Sequence, residues 1–278
     1  MMAGGVELGN RPREVTAAAR NAPVVVMGYT GSGAERLRSA LSWFPELACT
    51  QGTGILPLCH QAVTAWRTVE QRDGAGTSPL AAASVRALCG GLVTAILAHE
   101  GASRWCELSS ASTAAVQTFV SLYPGARFLI VHRRVDAVVR TVIGSGSWGL
   151  EGREFAPYVS ANPASPVAAV AGYWATHTAD QLEFERANPE ACHRVRTEDL
   201  AGDAARVLLQ ISDFLALGGE SQPPPRTLDD DWDGHASTGA PVAPPVLPLD
   251  RIPGPLLARV NDLHHSLGYP PVTAGTLT

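Results

Sequence analysis

The segment at residues 23–41 constrains the fold more than any other part of the chain. It reads PVVVMGYTGSGAERLRSAL. The apolar, mostly β-branched run at residues 24–27 is typical of a parallel strand that is covered on both faces. Gly28, Gly31 and Gly33 then allow a tight turn, and the leucines that follow have helical spacing. We therefore expect a buried strand, a glycine-rich turn and a helix.

Such a turn is a candidate site for an anion, because unpaired N–H groups and the positive end of the helix dipole meet at the helix start. The spacing of Gly28 and Gly33 matches a Walker A loop. Ala34 and Glu35, however, stand where the lysine and the Mg²⁺-binding hydroxyl would be, which disfavours an ordinary Mg-dependent NTPase. A plain strand-to-helix connection is the alternative to phosphate binding.

The composition indicates a globular chain with a full core. It has 278 residues, 45% of them hydrophobic and 17% charged. A net charge of −5 argues against a nucleic-acid or membrane-surface partner, and we find no run long enough to span a bilayer. Residues 1–22 contain arginines but no sustained apolar core, so we expect a flexible N-terminal leader followed by a single domain at 23–278 in the cytoplasm.

The cysteine and arginine content restricts the chemistry. The five cysteines are scattered without a CxxC pair, which favours buried reduced thiols over disulfides and predicts no metal site. All 21 of the Lys+Arg residues are arginine. Phosphate or sulfate chemistry must therefore use arginine, backbone donors or histidine.

Strand and helix signals alternate along the chain without a hairpin signal, which predicts an α/β, three-layer fold: a doubly wound, mostly parallel sheet with helices on both faces. The long loop at 144–166 contains aromatic residues that are typical of a lid or an acceptor wall, whereas Asp229 to Asp231 are expected in a solvated loop. The predicted strands lie at 24–27, 45–50, 104–108, 127–132 and 192–196.

Three features now occur in sequence: the glycine-rich loop, a strand that runs into Arg133 with Thr141 eight positions later, and the motif TEDL at 197–200 before a C-terminal helix. Together they resemble the sulfotransferases that use 3′-phosphoadenosine 5′-phosphosulfate (PAPS). The resemblance implies the P-loop NTPase-like sulfotransferase fold, with Arg133 and Thr141 on the 3′-phosphate. It also implies a 5′-phosphosulfate loop made of Thr30, Gly31, Ser32, Gly33, Ala34 and Glu35.

The chain departs from the family pattern at its cations. Members carry Lys or Arg immediately before Ser-Gly in the first loop, where this chain has Gly31, and many carry a second lysine that would fall at Leu108. Hydroxyl residues after the last loop glycine are replaced by Ala34 and Glu35. Arg36 is our candidate for a replacement catalytic cation, since it lies one helical turn from Ser32.

The acceptor hydroxyl needs a group that takes up its proton near neutral pH. His60, on the helix after the second turn, and Glu107, at the end of the middle strand, are the candidates, and a third alternative is that neither is catalytic. His132, one residue before Arg133, is equally available, or it only orients the end of its strand.

The resemblance implies a bacterial enzyme of secondary metabolism that moves a sulfuryl group from PAPS to a hydroxyl of a small molecule, such as a natural product or a carbohydrate. The alternative is a sulfotransferase-like protein that has lost sulfate transfer, which binds a ligand or partner or catalyses another reaction in the same cleft. We expect no metal, nucleic-acid or membrane partner. The oligomeric state stays open, with a homodimer as one candidate.

Overall fold

The computed structural model describes residues 22–70, 78–144, 153–217 and 251–273. Five strands run through these residues: β1 Val24–Met27, β2 Leu47–Gln51, β3 Arg104–Ser109, β4 Arg127–His132 and β5 Cys192–Arg196. The helices in the described residues are α1 Ala34–Leu41, α2 Ile55–Val69, α3 Pro79–Glu100, α4 Thr113–Leu122, α5 Val135–Gly144, α6 Ala156–Ala161, α7 Pro166–Ala187, α8 Thr197–Gly202, α9 Ala204–Leu215 and α10 Gly254–Leu267.

The strands form one sheet in the order β2-β3-β1-β4-β5, and every pairing in it is parallel. The predicted doubly wound α/β fold is therefore confirmed. β1 lies at the centre, between β3 and β4, although β2 is the next strand along the chain. In such sheets ligands bind in the crevice outside the carboxyl end of the strand where the order reverses. Here that end is the start of the glycine-rich loop.

The central strand is apolar throughout because both faces of the sheet are covered. Val24 and Val26 pack into a cluster with residues of α1 and α9. Val25 and Met27 face the opposite layer, which includes residues of α2, α3 and α4. The three valines have no exposed surface. This packing fixes the position of β1, and with it the position of the loop that follows.

Several element bounds differ from the sequence-based expectation, and α6 lies within the predicted loop at 144–166. β2 begins at Leu47 rather than at residue 45. The helix expected after TEDL is divided into α8 and α9, because Asp203 accepts a hydrogen bond from Arg206 N at 3.0 Å and caps a second helix. The predicted ranges of β4 and β5 agree with the structure. Asp229 to Asp231 lie outside the described residues.

One helix contradicts the expectation that no run is long enough to span a bilayer. By length and composition alone, α3 is long and apolar enough to do so. In this fold it packs Ala81, Val85 and Cys89 into the core, while Leu88 is 58% exposed. α3 is therefore one wall of the domain with an apolar outer face.

Candidate functional site

The loop between β1 and α1 depends on glycine at three positions. Gly31 and Gly33 have φ angles of +83° and +81°, in the left-handed region that side chains rarely adopt. Gly28 is required for a different reason, since a Cβ atom added there would lie 2.2 Å from the Cβ atom of Ala34. The backbone of the loop thus lies directly against the first turn of α1.

Ser32 holds the loop in shape from inside. Its side chain is fully buried, and its Oγ accepts a hydrogen bond from Tyr29 N at 3.1 Å. Its own N–H donates to Tyr29 O at 2.9 Å. Thr197 Oγ1 donates to Ser32 O at 2.7 Å. Ser32 therefore stabilises the turn through its side chain.

The first turn of α1 contains backbone N–H groups that are available to a ligand. The N–H groups of Ala34 and Glu35 have no hydrogen-bond partner among the residues that the structure describes. Both residues line a cavity of about 390 Å³ above the loop. Because unpaired N–H groups at a helix start attract anions, this end of the loop can bind an oxyanion.

The structure brings Arg133 and Thr141 to the same loop. Arg133 Nη1 donates to Gly31 O and to Thr141 Oγ1, at 3.1 Å in each case. Trp174 Nε1 donates to Arg133 O at 2.8 Å and anchors the backbone at the end of β4. A half-buried guanidinium beside a hydroxyl is a suitable site for a phosphate, because both can donate to its oxygens.

The TEDL motif connects this loop to α5. Besides the contact of Thr197 with the loop, Glu198 Oε1 accepts a hydrogen bond from Arg134 N at 2.9 Å, immediately before α5. Glu198 Oε2 accepts from the Tyr269 hydroxyl at 2.8 Å. Burial raises the pKa of Tyr269, so this hydroxyl stays protonated and remains a donor. Thr197 and Glu198 are positioning residues whose roles the sequence motif did not reveal.

Glu107 lines the 390 Å³ cavity but is occupied by neighbours. Its carboxylate accepts hydrogen bonds from Thr50 Oγ1 at 2.6 Å, and from Thr53 N and Thr53 Oγ1, both at 2.9 Å. Only 2% of its surface is exposed. These three hydrogen bonds fix the turn between β2 and α2, so the geometry favours a structural role for Glu107.

The other predicted catalytic residues do not line the cavities at the loop. His60 Nδ1 lies 2.9 Å from Thr118 Oγ1, on the contact between α2 and α4. Arg36 is half-buried on α1, and its Nε has no hydrogen-bond partner among the described residues. His132 is buried with Nε2 2.7 Å from Glu185 Oε1. His60 and Arg36 stay predictions that this geometry does not support.

A second cavity, of about 440 Å³, lies between the loop and α7 and contains a histidine that the sequence motifs missed. The His177 ring stacks on Tyr29 with 5.6 Å between centroids and lies 4.3 Å from the Tyr173 ring. Neither ring nitrogen of His177 has a hydrogen-bond partner among the described residues. Tyr173 and His177 are four residues apart on one helix face, which is the one sequence signal for this pair.

The environment of His177 favours the neutral imidazole. Burial lowers its pKa, although Asp180 and Glu154 act in the opposite direction. Burial also raises the pKa of Tyr173 to about 12, so the tyrosine hydroxyl keeps its proton. A neutral imidazole without a partner, beside the loop, can accept a proton.

Thr30 joins the loop to the walls of this cavity. Its N–H donates to the Tyr173 hydroxyl at 3.1 Å, and its Oγ1 donates to Glu154 Oε1 at 2.6 Å. Both partners belong to the segment before and within α7. The loop is thus held by α5 and α8 on one side and by α7 on the other.

Comparison with known proteins assigns the family. A family model described as the sulfotransferase family matches residues 23–220. The chain belongs to the sulfotransferase family. No sequence among curated proteins matches this chain.

Solved structures with a similar fold are themselves sulfotransferases. The sulfotransferase domain from the curacin biosynthetic pathway matches with a TM-score of 0.55 at 15% identity, over 90% of this chain and 98% of that one. A sulfotransferase of Mycobacterium avium matches with a TM-score of 0.51 at 11% identity, over 92% and 79%. The sulfotransferase domain from the olefin synthase of Synechococcus PCC 7002 matches with a TM-score of 0.50 at 17% identity, over 90% and 96%. At these identities the likeness shows the fold.

The charges around the loop are distributed unevenly. Among the described residues, no arginine lines either cavity. Glu35 and Glu107 line the first cavity, and Glu154 and Asp180 line the second. The described residues contain no group of three or more His, Cys, Asp or Glu side chains that could hold a metal ion. Arg133, on the side of α5, places its guanidinium on the loop by donating to Gly31 O.

Proposed function

We propose that this chain is an enzyme that transfers a sulfuryl group from PAPS to a hydroxyl of a small molecule in bacterial secondary metabolism. The observation that carries the proposal is the pair of hydrogen bonds from Arg133 Nη1 to Gly31 O and Thr141 Oγ1. The family resemblance assigns Arg133 and Thr141 to the 3′-phosphate and Gly31 to the 5′-phosphosulfate loop. The two bonds therefore connect these two parts of the proposed donor site. Two of the solved relatives are domains of biosynthetic systems, which supports the metabolic assignment.

The residues around the loop fit such a donor on the side of α5. The N–H groups of Ala34 and Glu35 are available to a 5′-phosphate, and the added-Cβ contact at Gly28 shows that the backbone is closely packed there. Arg133 and Thr141 provide a guanidinium and a hydroxyl for the 3′-phosphate. The exposed Glu35 carboxylate fits poorly, and it is tolerated if it points into solvent.

PAPS supplies the sulfuryl group in an activated anhydride. The protein's own contribution is to orient the two reactants and to accept a proton, since transfer of such groups depends mainly on positioning and electrostatics. The loop N–H groups of Ala34 and Glu35 donate to developing negative charge. His177 accepts the proton of the attacking hydroxyl, because its imidazole is neutral, unpartnered and in the cavity beside the loop.

A specific observation favours a second candidate function. No arginine lines the cavities at the loop in the described part of the chain, so the cation that stabilises the leaving oxygen in the family has no evident replacement. A sulfotransferase-like binding protein, or an enzyme of another reaction in the same cleft, would not need that cation. Turnover of PAPS with a broad panel of hydroxyl acceptors separates the two functions, because the second candidate predicts none.

Binding of adenosine 3′,5′-bisphosphate to the full chain tests the first proposal. We expect this ligand to raise the melting temperature and to bind with a Kd that Arg133→Ala weakens by about 100-fold, since a charge-assisted contact of this kind is worth roughly 2–3 kcal/mol. Arg140→Ala is the matched control, because Arg140 is 41% exposed in its side chain and pairs only with Asp136 among the described residues. Calorimetric titration measures all three proteins.

Two outcomes would overturn the proposal. The first is an unchanged melting temperature at millimolar bisphosphate. The second is equal affinity in the Arg133→Ala and Arg140→Ala proteins, which would place the ligand elsewhere. Circular dichroism of both variants confirms that they are folded before the affinities are compared.

A further inference from the structure

The 440 Å³ cavity beside α7 is built from two kinds of surface. Its inner wall is aromatic and consists of Tyr29, Tyr173 and His177. Glu154 and Asp180 are solvent-exposed residues of its lining. The cavity shares Gly28 and Tyr29 with the first cavity above the loop. A small molecule in it would therefore lie next to the loop that binds the anion in the proposed function.

The charge in and around this cavity is negative without compensation. Neither Glu154 nor Asp180 forms an ion pair with an arginine of the described residues. Glu107 of the adjoining cavity accepts hydrogen bonds from neutral donors only. Carboxylates whose charge is not paired inside the protein attract a cation from outside it.

The aromatic wall is closed and leaves the charge of the cavity to its carboxylates. Tyr29 and Tyr173 are 5% and 1% exposed, and the His177 ring packs against both. Burial raises the pKa of both tyrosine hydroxyls, so neither ring becomes a phenolate. The exposed side chains of Glu154 and Asp180 are therefore the charged groups that a ligand meets.

A buried acceptor without a partner also points to a donor ligand. Gln181 lines the cavity and is 6% exposed. Its Nε2 donates to Met27 O at 3.3 Å, whereas its Oε1 has no hydrogen-bond partner among the described residues. A buried carbonyl oxygen without a donor is costly, and an N–H group of a ligand would satisfy it.

We infer that the acceptor of this sulfotransferase is a small amino alcohol, whose hydroxyl faces the loop and whose protonated amine lies between Asp180 and Glu154. The chemical step rests on the proposed function. The acceptor oxygen forms a bond to sulfur, the bond from sulfur to the bridging oxygen breaks, and its electron pair stays on the 5′-phosphate. The hydroxyl proton passes to His177. The acceptor itself then brings a positive charge to a site that lacks the family's cations.

A matched pair of probes tests the inference. 3-Aminopropan-1-ol and butan-1-ol have the same number of heavy atoms and differ in the terminal ammonium. Binding of each to the full chain is measured by NMR titration, with and without saturating adenosine 3′,5′-bisphosphate. We expect the amine to bind about tenfold more tightly, with a preference that decreases at high salt because the carboxylates are exposed. In the double variant Asp180→Asn, Glu154→Gln the preference should fall to about twofold or less.

Asp213→Asn is the control, because Asp213 is exposed on α9 and lines neither cavity. Equal binding of amine and alcohol to the wild-type chain overturns the inference, as does a preference that the double variant keeps. Failure of the proposed function is a separate result. It would appear as no binding of adenosine 3′,5′-bisphosphate, whereas the preference for the amine is also measured in the absence of this ligand. A preference for the amine over the alcohol, both with and without bound adenosine 3′,5′-bisphosphate, supports the inference together with the proposed function.

Discussion

The two sides of the glycine-rich loop differ in charge, although the same few residues form both. On the side of α5, Arg133 donates to the loop carbonyl of Gly31 and to Thr141. On the side of α7, the charged residues of the 440 Å³ cavity are the carboxylates Glu154 and Asp180, and the described lining contains no arginine. One side is suited to hold a phosphate, whereas the other is suited to neutral or cationic groups.

This difference indicates which part of a sulfotransferase site is retained here. Holding a phosphate needs a guanidinium, a hydroxyl and free N–H groups, and all three are present. Stabilising the leaving oxygen needs a positive charge on the other side, and loss of one such donor costs on the order of 10²- to 10³-fold in rate. The chain must therefore transfer sulfate slowly, use a charge that comes with the acceptor, catalyse a different reaction, or have lost sulfate transfer.

Among variants that test this difference between the two sides, we expect the largest loss of rate at His177, on the side with the carboxylates. Replacing a general base typically costs 10²- to 10⁴-fold, and we expect His177→Gln to lower kcat by about 10²- to 10³-fold with little change in the affinity for adenosine 3′,5′-bisphosphate. Because burial lowers the pKa of His177, the wild-type rate should fall as the pH decreases through a value below 6.5. Rates are measured as a function of pH with PAPS and an amino alcohol.

The pH profile separates a proton acceptor from a structural residue. In His177→Gln the acidic limb should disappear, whereas a merely structural histidine would leave it in place. Asp180, Glu154, Tyr29 and Tyr173 face the imidazole and are unchanged in the variant. His265→Gln, at an exposed position on α10, is the control and should keep the wild-type profile.

Much of the fold could be predicted from the sequence because the buried strands carry a strong local signal. β4 and β5 were predicted with the bounds that the structure shows, since their ends coincide with charged or turn residues. The glycine-rich loop could be predicted as well, because its glycines directly follow the apolar run at residues 24–27. The division of the C-terminal helix at Asp203 was missed, because a cap of this type resembles an ordinary polar helix residue.

The site was less predictable because its residues meet only in three dimensions. Arg133 and Gly31 are far apart in sequence, and only the family resemblance related them. His177 has no motif, since its role depends on contact with Tyr29 across the cavity. The missing loop cation has a tertiary reason as well: a Cβ added at Gly31 would lie 2.9 Å from Val142 Cγ2, at a φ angle that opposes any side chain.

We expect a moderate effect on stability and binding from substitution of Gly28, which lines both cavities at the loop. Gly28→Ala places a methyl group against Ala34, so the backbone must move, and overpacking of this kind costs about 1–3 kcal/mol. We expect a lower free energy of unfolding together with weaker binding of adenosine 3′,5′-bisphosphate and of the amino alcohol. Denaturant titration and the two binding measurements check this.

Gly90→Ala is the matched control in the same protein. A Cβ added at Gly90 meets no atom within 4 Å, and the position lies inside α3. Alanine there should raise the free energy of unfolding by about 0.5–1 kcal/mol, because glycine is a poor helix former. A Gly28→Ala protein that keeps wild-type stability and both affinities would show that the loop adapts freely, and would remove the coupling between its two sides.

We expect the smallest effect on affinity at Glu35, a carboxylate beside the N–H groups that would bind the phosphate. Glu35 is the second residue of α1 and lies beside the free N–H groups, where its exposed charge opposes an anion. Glu35→Gln should tighten the binding of adenosine 3′,5′-bisphosphate by about two- to fivefold at low salt, and the gain should shrink at high salt because exposed charges are screened. Glu100→Gln, at the end of α3, should leave the affinity unchanged. A weaker affinity in Glu35→Gln would mean that this carboxylate assists binding, and the division of the loop into a phosphate side and a carboxylate side would no longer hold.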